Sequence, residues 1–150
     1  MNLKQTVEAD IKKAMLAKDK DRLRALRGIK AAILLAETEK GASAELDHDA
    51  EVKLLSKAAK QRRDSATLYE EKGRNDLAEA ERSELEVINS YLPKQLSEEE
   101  IKAVLSKIIA DTGASGPQDM GKVMGLATTQ LAGQADGKLI SLHVKNLLKP

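Results

Sequence analysis

Residues 97–113 read SEEEIKAVLSKIIADTG. Ile101, Val104, Leu105, Ile108 and Ile109 recur at three- and four-residue intervals, which gathers them into one stripe on a helix of 3.6 residues per turn. Ser97 and Glu100 make a capping box, hydroxyl and carboxylate each satisfying a backbone N–H left open at a helix start. Gly113 closes the pattern as a residue able to take the left-handed C-cap conformation. Both ends and the buried face of a helix are therefore readable here, and the same period extends outward in both directions.

Toward the N-terminus, Leu3, Val7, Ile11, Ala14 and Met15 mark a first helix that ends before AKDKD. A second starts near Asp19 or Lys20, carries Leu23, Leu26, Ile29, Ile33 and Leu34, and stops at Gly41 in a left-handed C-cap. Residues 42–46 read as a loop. Asp47 caps a long third helix with Val52, Leu55, Ala59, Ala66 and Tyr69 on its apolar face, closed by Gly73. Asn75 caps a fourth, where Leu77, Leu85, Ile88 and Leu92 align until Pro93, which cannot continue the hydrogen-bond ladder. Toward the C-terminus, Gly116 and Pro117 open a sixth helix with Met120, Val123, Met124, Ala127 and Leu131 as its apolar face. Gly133 breaks it. Asp136 caps a seventh that holds Leu139, Ile140, Val144, Leu147 and Leu148.

No alternation of apolar and polar residues reads as a strand, so the expected class is all-α. The expected organisation is an amino-terminal domain of about four helices over residues 1–93, a connecting KQL, and a small three-helix domain over residues 97–150. The second is near the lower size limit for an independent core, so docking on the first half or on a partner is expected of it.

Composition removes several functions. With no cysteine, disulfides, thiolate zinc sites, iron–sulfur clusters and thiol nucleophiles are absent. Tyr69 and Tyr91 are the only aromatic residues, too few for folds that stack nucleic-acid bases on several rings. Lys and Arg number 25 against 24 Asp and Glu, a formal charge of +1, so no global field steers a polyanion and any nucleic-acid contact is local. Apolar runs such as AAILLA are too short for a membrane span. The start MNLKQTVEAD has no apolar signal region, from which a cytoplasmic protein is expected.

No GxSxG, P-loop, Rossmann glycine pattern or HExxH is present, so no catalytic residue is assigned and no cofactor is expected. DHD, at Asp47, His48 and Asp49, is the best metal candidate with His143 as a further ligand. Adjacent residues diverge, however, and capping of a helix start accounts for both aspartates, so no metal is expected. Lys53, Lys57, Lys60 and Asp64 follow one face of the third helix, with Arg62 and Arg63 beside them, a basic stripe able to meet phosphates. The fourth helix carries Glu79, Glu81, Glu84 and Glu86, and an antiparallel hairpin pairing the two is the preferred reading. Arg24 and Arg27 form a second anion candidate beside Lys60 and Arg63, again with intrachain pairing as the simpler account.

The tail carries more. Gly121 and Gly125 lie four apart inside a helix, where each costs about 1 kcal/mol relative to Ala, which points to close approach by a helix or a ligand. Gly133 and Gly137 bracket a turn into a helix N-terminus that favours an anion, with Lys122 and Lys138 able to complete a phosphate site. A compact helix–turn–helix corner capped by Asp136 is the preferred reading of these residues alone.

KQRRDS at 60–65, YLPKQLSEEEI at 91–101, DMGKVMG at 119–125 and ADGKL at 135–139 resemble, in order and spacing, the YqeY family of small bacterial cytosolic proteins. The second half also resembles the tail domain of the B subunit of glutamine-dependent aminoacyl-tRNA amidotransferase, a carbon–nitrogen ligase. The resemblance implies two helical domains, the second related to one that helps hold tRNA while kinase and amidase sites elsewhere do the chemistry. Neither catalytic domain is in this chain. The family pattern falls on Gly121, Val123 and Met124, and on Gly133, Ala135, Asp136, Gly137 and Lys138. Gln134 and Ala132 stand where basic residues are frequent, which removes positive charge from the turn. The expected function is a non-catalytic accessory protein that engages tRNA, or a tRNA-handling complex, through Gly121, Lys122, Gly125, Gly133, Gln134, Gly137 and Lys138. A protein–protein interaction module that receives a partner helix in the glycine-lined groove is the alternative.

Overall fold

A computed structural model describes residues 2–41 and 45–149, so residues 42–44 of the expected loop lie outside the described residues. Among the described residues there are seven α-helices, one 3₁₀ turn and no strand. The chain divides into two compact units, Met1–Leu92 and Pro93–Pro150.

The first unit holds α1 (Leu3–Ala17), α2 (Lys20–Lys40), α3 (His48–Glu71) and α4 (Asn75–Tyr91). Asn2 starts α1 with a capping box to Gln5, while Asp19 and Asp47 cap α2 and α3 through their carboxylates. Three departures from the sequence reading have local causes. Gly41 ends α2 at φ +116° and ψ 156°, a positive-φ conformation outside the left-handed helical well, so it terminates the helix without forming the expected cap. Asn75 is the first residue of α4 rather than its cap. The preceding Arg74 sits at the cap with its guanidinium on the Asp76 carboxylate, both contacts 3.2 Å. Met15 and Leu34 face solvent, because Ala14 and Ile33 take the core positions and each neighbour is turned about 100° away. The core centres on Val7, Leu26, Ile29, Ile33, Leu55 and Ile88. Each such aliphatic side chain contributes roughly 1.5–3 kcal/mol when fully buried.

Charge stitches the faces of this unit together. Glu84 on α4 accepts from Arg24 of α2 at 3.2 Å and from Arg62 of α3 at 3.0 Å, and Arg62 also lies 3.0 Å from Glu81. Arg82 pairs with Glu70 across the same α3–α4 hairpin. Lys4–Glu37 and Lys30–Glu8 join α1 to α2, and the Leu3 N–H donates to Glu51 of α3 at 2.7 Å. At the far end of α4 the Tyr91 hydroxyl donates to Asp10 of α1. Burial, and then that bond, push the Tyr91 phenol above its ordinary value.

The second unit holds α5 (Glu98–Thr112), the 3₁₀ turn Pro117–Asp119, α6 (Met120–Gln130) and α7 (Gly137–Leu147). The Ser97–Glu100 capping box is formed, and the Ser97 N–H on its carboxylate holds Glu100 below the usual range. Gly113 adopts the left-handed cap at φ +70°. Pro117 opens the 3₁₀ turn instead of α6 itself, which starts three residues later. Ile101, Leu105, Ile108, Val123, Ala127, Leu131, Ile140, Val144 and Leu148 form the core. The stretch read as a linker belongs to this unit: Leu96 packs against its core, and Gln95 and Leu96 bond to the turn between α6 and α7.

Candidate functional site

The tail residues singled out from sequence occupy two places in the second unit. Gly121, Lys122 and Gly125 lie on the exposed face of α6, opposite the buried Val123 and Ala127. A Cβ added at Gly121 or Gly125 meets nothing within 4 Å, so neither glycine makes room for another helix of this chain. The Lys122 and Lys138 ammonium groups are exposed and make no ion pair among the described residues.

The second place is the turn from Leu131 to Gly137. Gly133 sits at φ +75°, the left-handed region that a glycine enters without strain. Its carbonyl accepts from Gln95 Nε2 at 2.6 Å, and the Gln134 carbonyl accepts from the Leu96 N–H at 2.9 Å. Two backbone acceptors of the turn are thus taken by the segment that leads into α5. Gln134 is half-buried, not displayed. Asp136 caps α7 by accepting from the Lys138 N–H at 3.4 Å, which sets a carboxylate at the positive end of the helix dipole. A phosphate at this N-terminus meets that negative charge, so the start of α7 is a weaker anion site than the glycine pattern implies. Lys122 and Leu131, the residue that caps the end of α6, are nine residues apart, about 14 Å along the helix axis at 1.5 Å per residue. The glycine face and the turn therefore address separate points of any ligand.

The basic candidates of the first unit are largely engaged. Arg24 pairs with Asp21 and Glu84, and Lys60 with Asp64 at 3.6 Å. Arg63 also has a partner. Arg27 is exposed and makes no ion pair among the described residues. The hairpin of a basic third helix on an acidic fourth is realised through Arg62, which serves Glu81 and Glu84. No arginine follows Arg82, so the second unit offers phosphate only lysines, point charges without the bidentate fork of a guanidinium.

Asp47 spends its carboxylate on the Ala50 N–H at 2.8 Å, and His48 is exposed beside Glu51. His143 belongs to the second unit, buried in α7 with Nε2 3.8 Å from Glu98. Among the described residues no three His, Cys, Asp or Glu side chains are grouped to hold a metal ion. No helix among them is long and apolar enough to cross a membrane. Sequence reasoning missed Gln95 and Leu96 as holders of the turn. Gln95 two residues after Pro93 was the available signal, since a rigid turn aims the side chain that follows it.

The two units define a small all-helical protein with a glycine-marked exposed helix in its tail. Over residues 4–148 the chain matches the family model described as Yqey-like protein, and it belongs to the YqeY family. It is similar to three proteins named altered inheritance of mitochondria protein 41, mitochondrial. The one from Lachancea thermotolerans is 38% identical over 74% of this chain and 60% of its own length. The one from Clavispora lusitaniae is 36% identical over 75% and 66%, and the one from Kluyveromyces lactis 30% over 93% and 72%. The chain thus spans less than two thirds of the first two relatives.

These relatives overturn the expected cytoplasmic location, because their names place them in mitochondria. The expectation rested on a missing apolar signal region. That region marks secretion, whereas mitochondrial transit segments are amphipathic and Arg-rich and have none.

Proposed function

We propose that this chain is a non-catalytic accessory protein of tRNA handling, which meets tRNA phosphates through the α6 face and Lys138. The observation that carries the reading is the open surface at Gly121 and Gly125 beside an unpaired Lys122. Each glycine costs its helix about 1 kcal/mol relative to Ala, and no packing among the described residues offsets that cost. Close approach by something outside the chain gives the pair a use. Likeness of the tail to the tRNA-holding domain of the amidotransferase, a glutamine-dependent carbon–nitrogen ligase, supports RNA as that ligand by analogy.

A protein partner is the second reading, favoured by the same open glycines, which let a foreign helix approach closely. Salt separates the two, since phosphate contacts weaken steeply with ionic strength and apolar burial does not. tRNA titrated into the wild type at two salt concentrations should bind with a negative salt slope. Lys122→Ala and Lys138→Ala should each reduce that slope by about 0.7 to 0.9, one phosphate contact, across all tRNA sequences alike. Gln134→Arg should strengthen binding. Absence of tRNA binding at low salt overturns the first reading. Loss of a protein complex in Gly121→Leu, with both lysine variants unaffected, establishes the second.

A further inference from the structure

The first unit carries a surface that neither reading uses. A groove of about 380 Å³ runs between α2 and α3. Its floor is Ala32 and Ala36 from α2 with Leu54 and Ala58 from α3, and Leu35 stands on its wall with 63% of its surface exposed. Large side chains left this open on a helix that otherwise contributes Leu26, Ile29 and Ile33 to the core mark a contact face. The rim has both signs of charge. Glu39 stands on the α2 side, Lys53 and Lys57 on the α3 side, and none of the three makes an ion pair among the described residues.

The positions of these charges select the occupant. Because α2 and α3 are consecutive and antiparallel, Glu39 and Lys53 lie at one end of the groove, Ala36 and Lys57 next, and Ala32 at the other end. A two-fold axis along the groove keeps each residue at its own level and exchanges sides, so α2 of one copy lies over α3 of the other. Glu39 then faces Lys53 and Lys57 of the second copy, and Leu35 faces Leu54 and Ala58, twice over. Such a match to itself is what an isologous interface requires. We infer that the α2–α3 groove is the interface of a homodimer, occupied by the same groove of a second copy.

Sedimentation equilibrium of the full chain across a wide concentration range tests this. The wild type should rise from the 16.3 kDa monomer to twice that mass as concentration increases. Leu35→Glu should remain monomeric with unchanged helical circular dichroism, and Glu39→Lys should dissociate more readily than the wild type. Adding Lys53→Glu and Lys57→Glu to Glu39→Lys reverses every rim charge and should restore dimerisation, a rescue that damage to the fold does not produce. A wild type that stays monomeric at the highest concentration overturns the inference and leaves the groove to a helix of another protein. A Leu35→Glu variant that dimerises like the wild type overturns it too, by placing the contact elsewhere.

Discussion

In the first unit Glu84 takes one arginine from α2 and another from α3, and eight of its described interhelical ties are ionic or end on a carboxylate. In the second unit the described ties beyond the apolar core include hydrogen bonds to the backbone carbonyls of Gly133 and Gln134, Lys94 beside Glu100, and a 3.8 Å approach of His143 Nε2 to Glu98. The two solutions answer different problems. Four long helices with many alanines and polar flanks have several nearly equivalent ways to pack, and oppositely charged edges choose among them. Exposed ion pairs contribute only about 0–1 kcal/mol each, so selection of partners rather than net stability is what they supply. Three short helices around a dense Ile, Leu and Val core have less freedom, and the weak point is the six-residue turn, which the incoming chain pins.

The largest effects should come from the two cores. Leu26→Ala and Leu105→Ala each empty a fully buried position, at a cost of about 2–5 kcal/mol. Calorimetry should show each variant lowering one thermal transition and sparing the other, and loss of both together breaks the division into units. Expressed separately, residues 93–150 should melt below residues 1–92, because the smaller unit buries a smaller fraction of its surface. Equal midpoints break the comparison from the other side.

Gln95→Ala removes the bonds from Nε2 to the Gly133 and Pro93 carbonyls and should destabilise the second unit alone by about 1–2 kcal/mol, at roughly 0.5–1.5 per bond. Urea melts of the full chain would locate that loss.

Tyr91→Phe should cost the first unit about 1 kcal/mol at neutral pH, the worth of one hydrogen bond. The folded phenol titrates above its unfolded value of about 10. Its stabilisation is therefore complete below that pH and is lost as pH rises through the folded value. Wild-type stability should fall on the alkaline side, Tyr91→Phe should flatten that fall, and tyrosinate absorbance should lose its late-titrating component. The smallest effect belongs to His48→Ala, within about 0.5 kcal/mol, since the imidazole is 84% exposed.

Helix existence was legible because the apolar stripes are periodic and four of them have a marked start. Asp19, Asp47, Ser97 and Asp136 all cap as their residue types require. Misreadings came where two neighbours compete for one role: Arg74 took the place before Asn75, and Pro117 began a 3₁₀ turn before α6. The site was less legible. Spacing located Gly121 and Gly125 but could not tell an inner face from an outer one. Partners distant in sequence, Gln95 with Gly133 or Arg24 with Glu84, leave no periodic trace at all. Charges in DHD and KQRRDS were visible, yet what they pair with is fixed by packing.

The confinement of arginine to the first 82 residues makes the chain its own proteolytic reporter. An endoprotease specific for arginine has no site beyond Arg82, so whatever it cuts, the whole second unit survives on one fragment with the last turns of α4. Arg82 lies within a helix, and cleavage there requires local opening of that helix. When opening and closing outpace the cut, the rate of cleavage at Arg82 measures the fraction of molecules in which α4 is unwound there, in the intact protein and without any label.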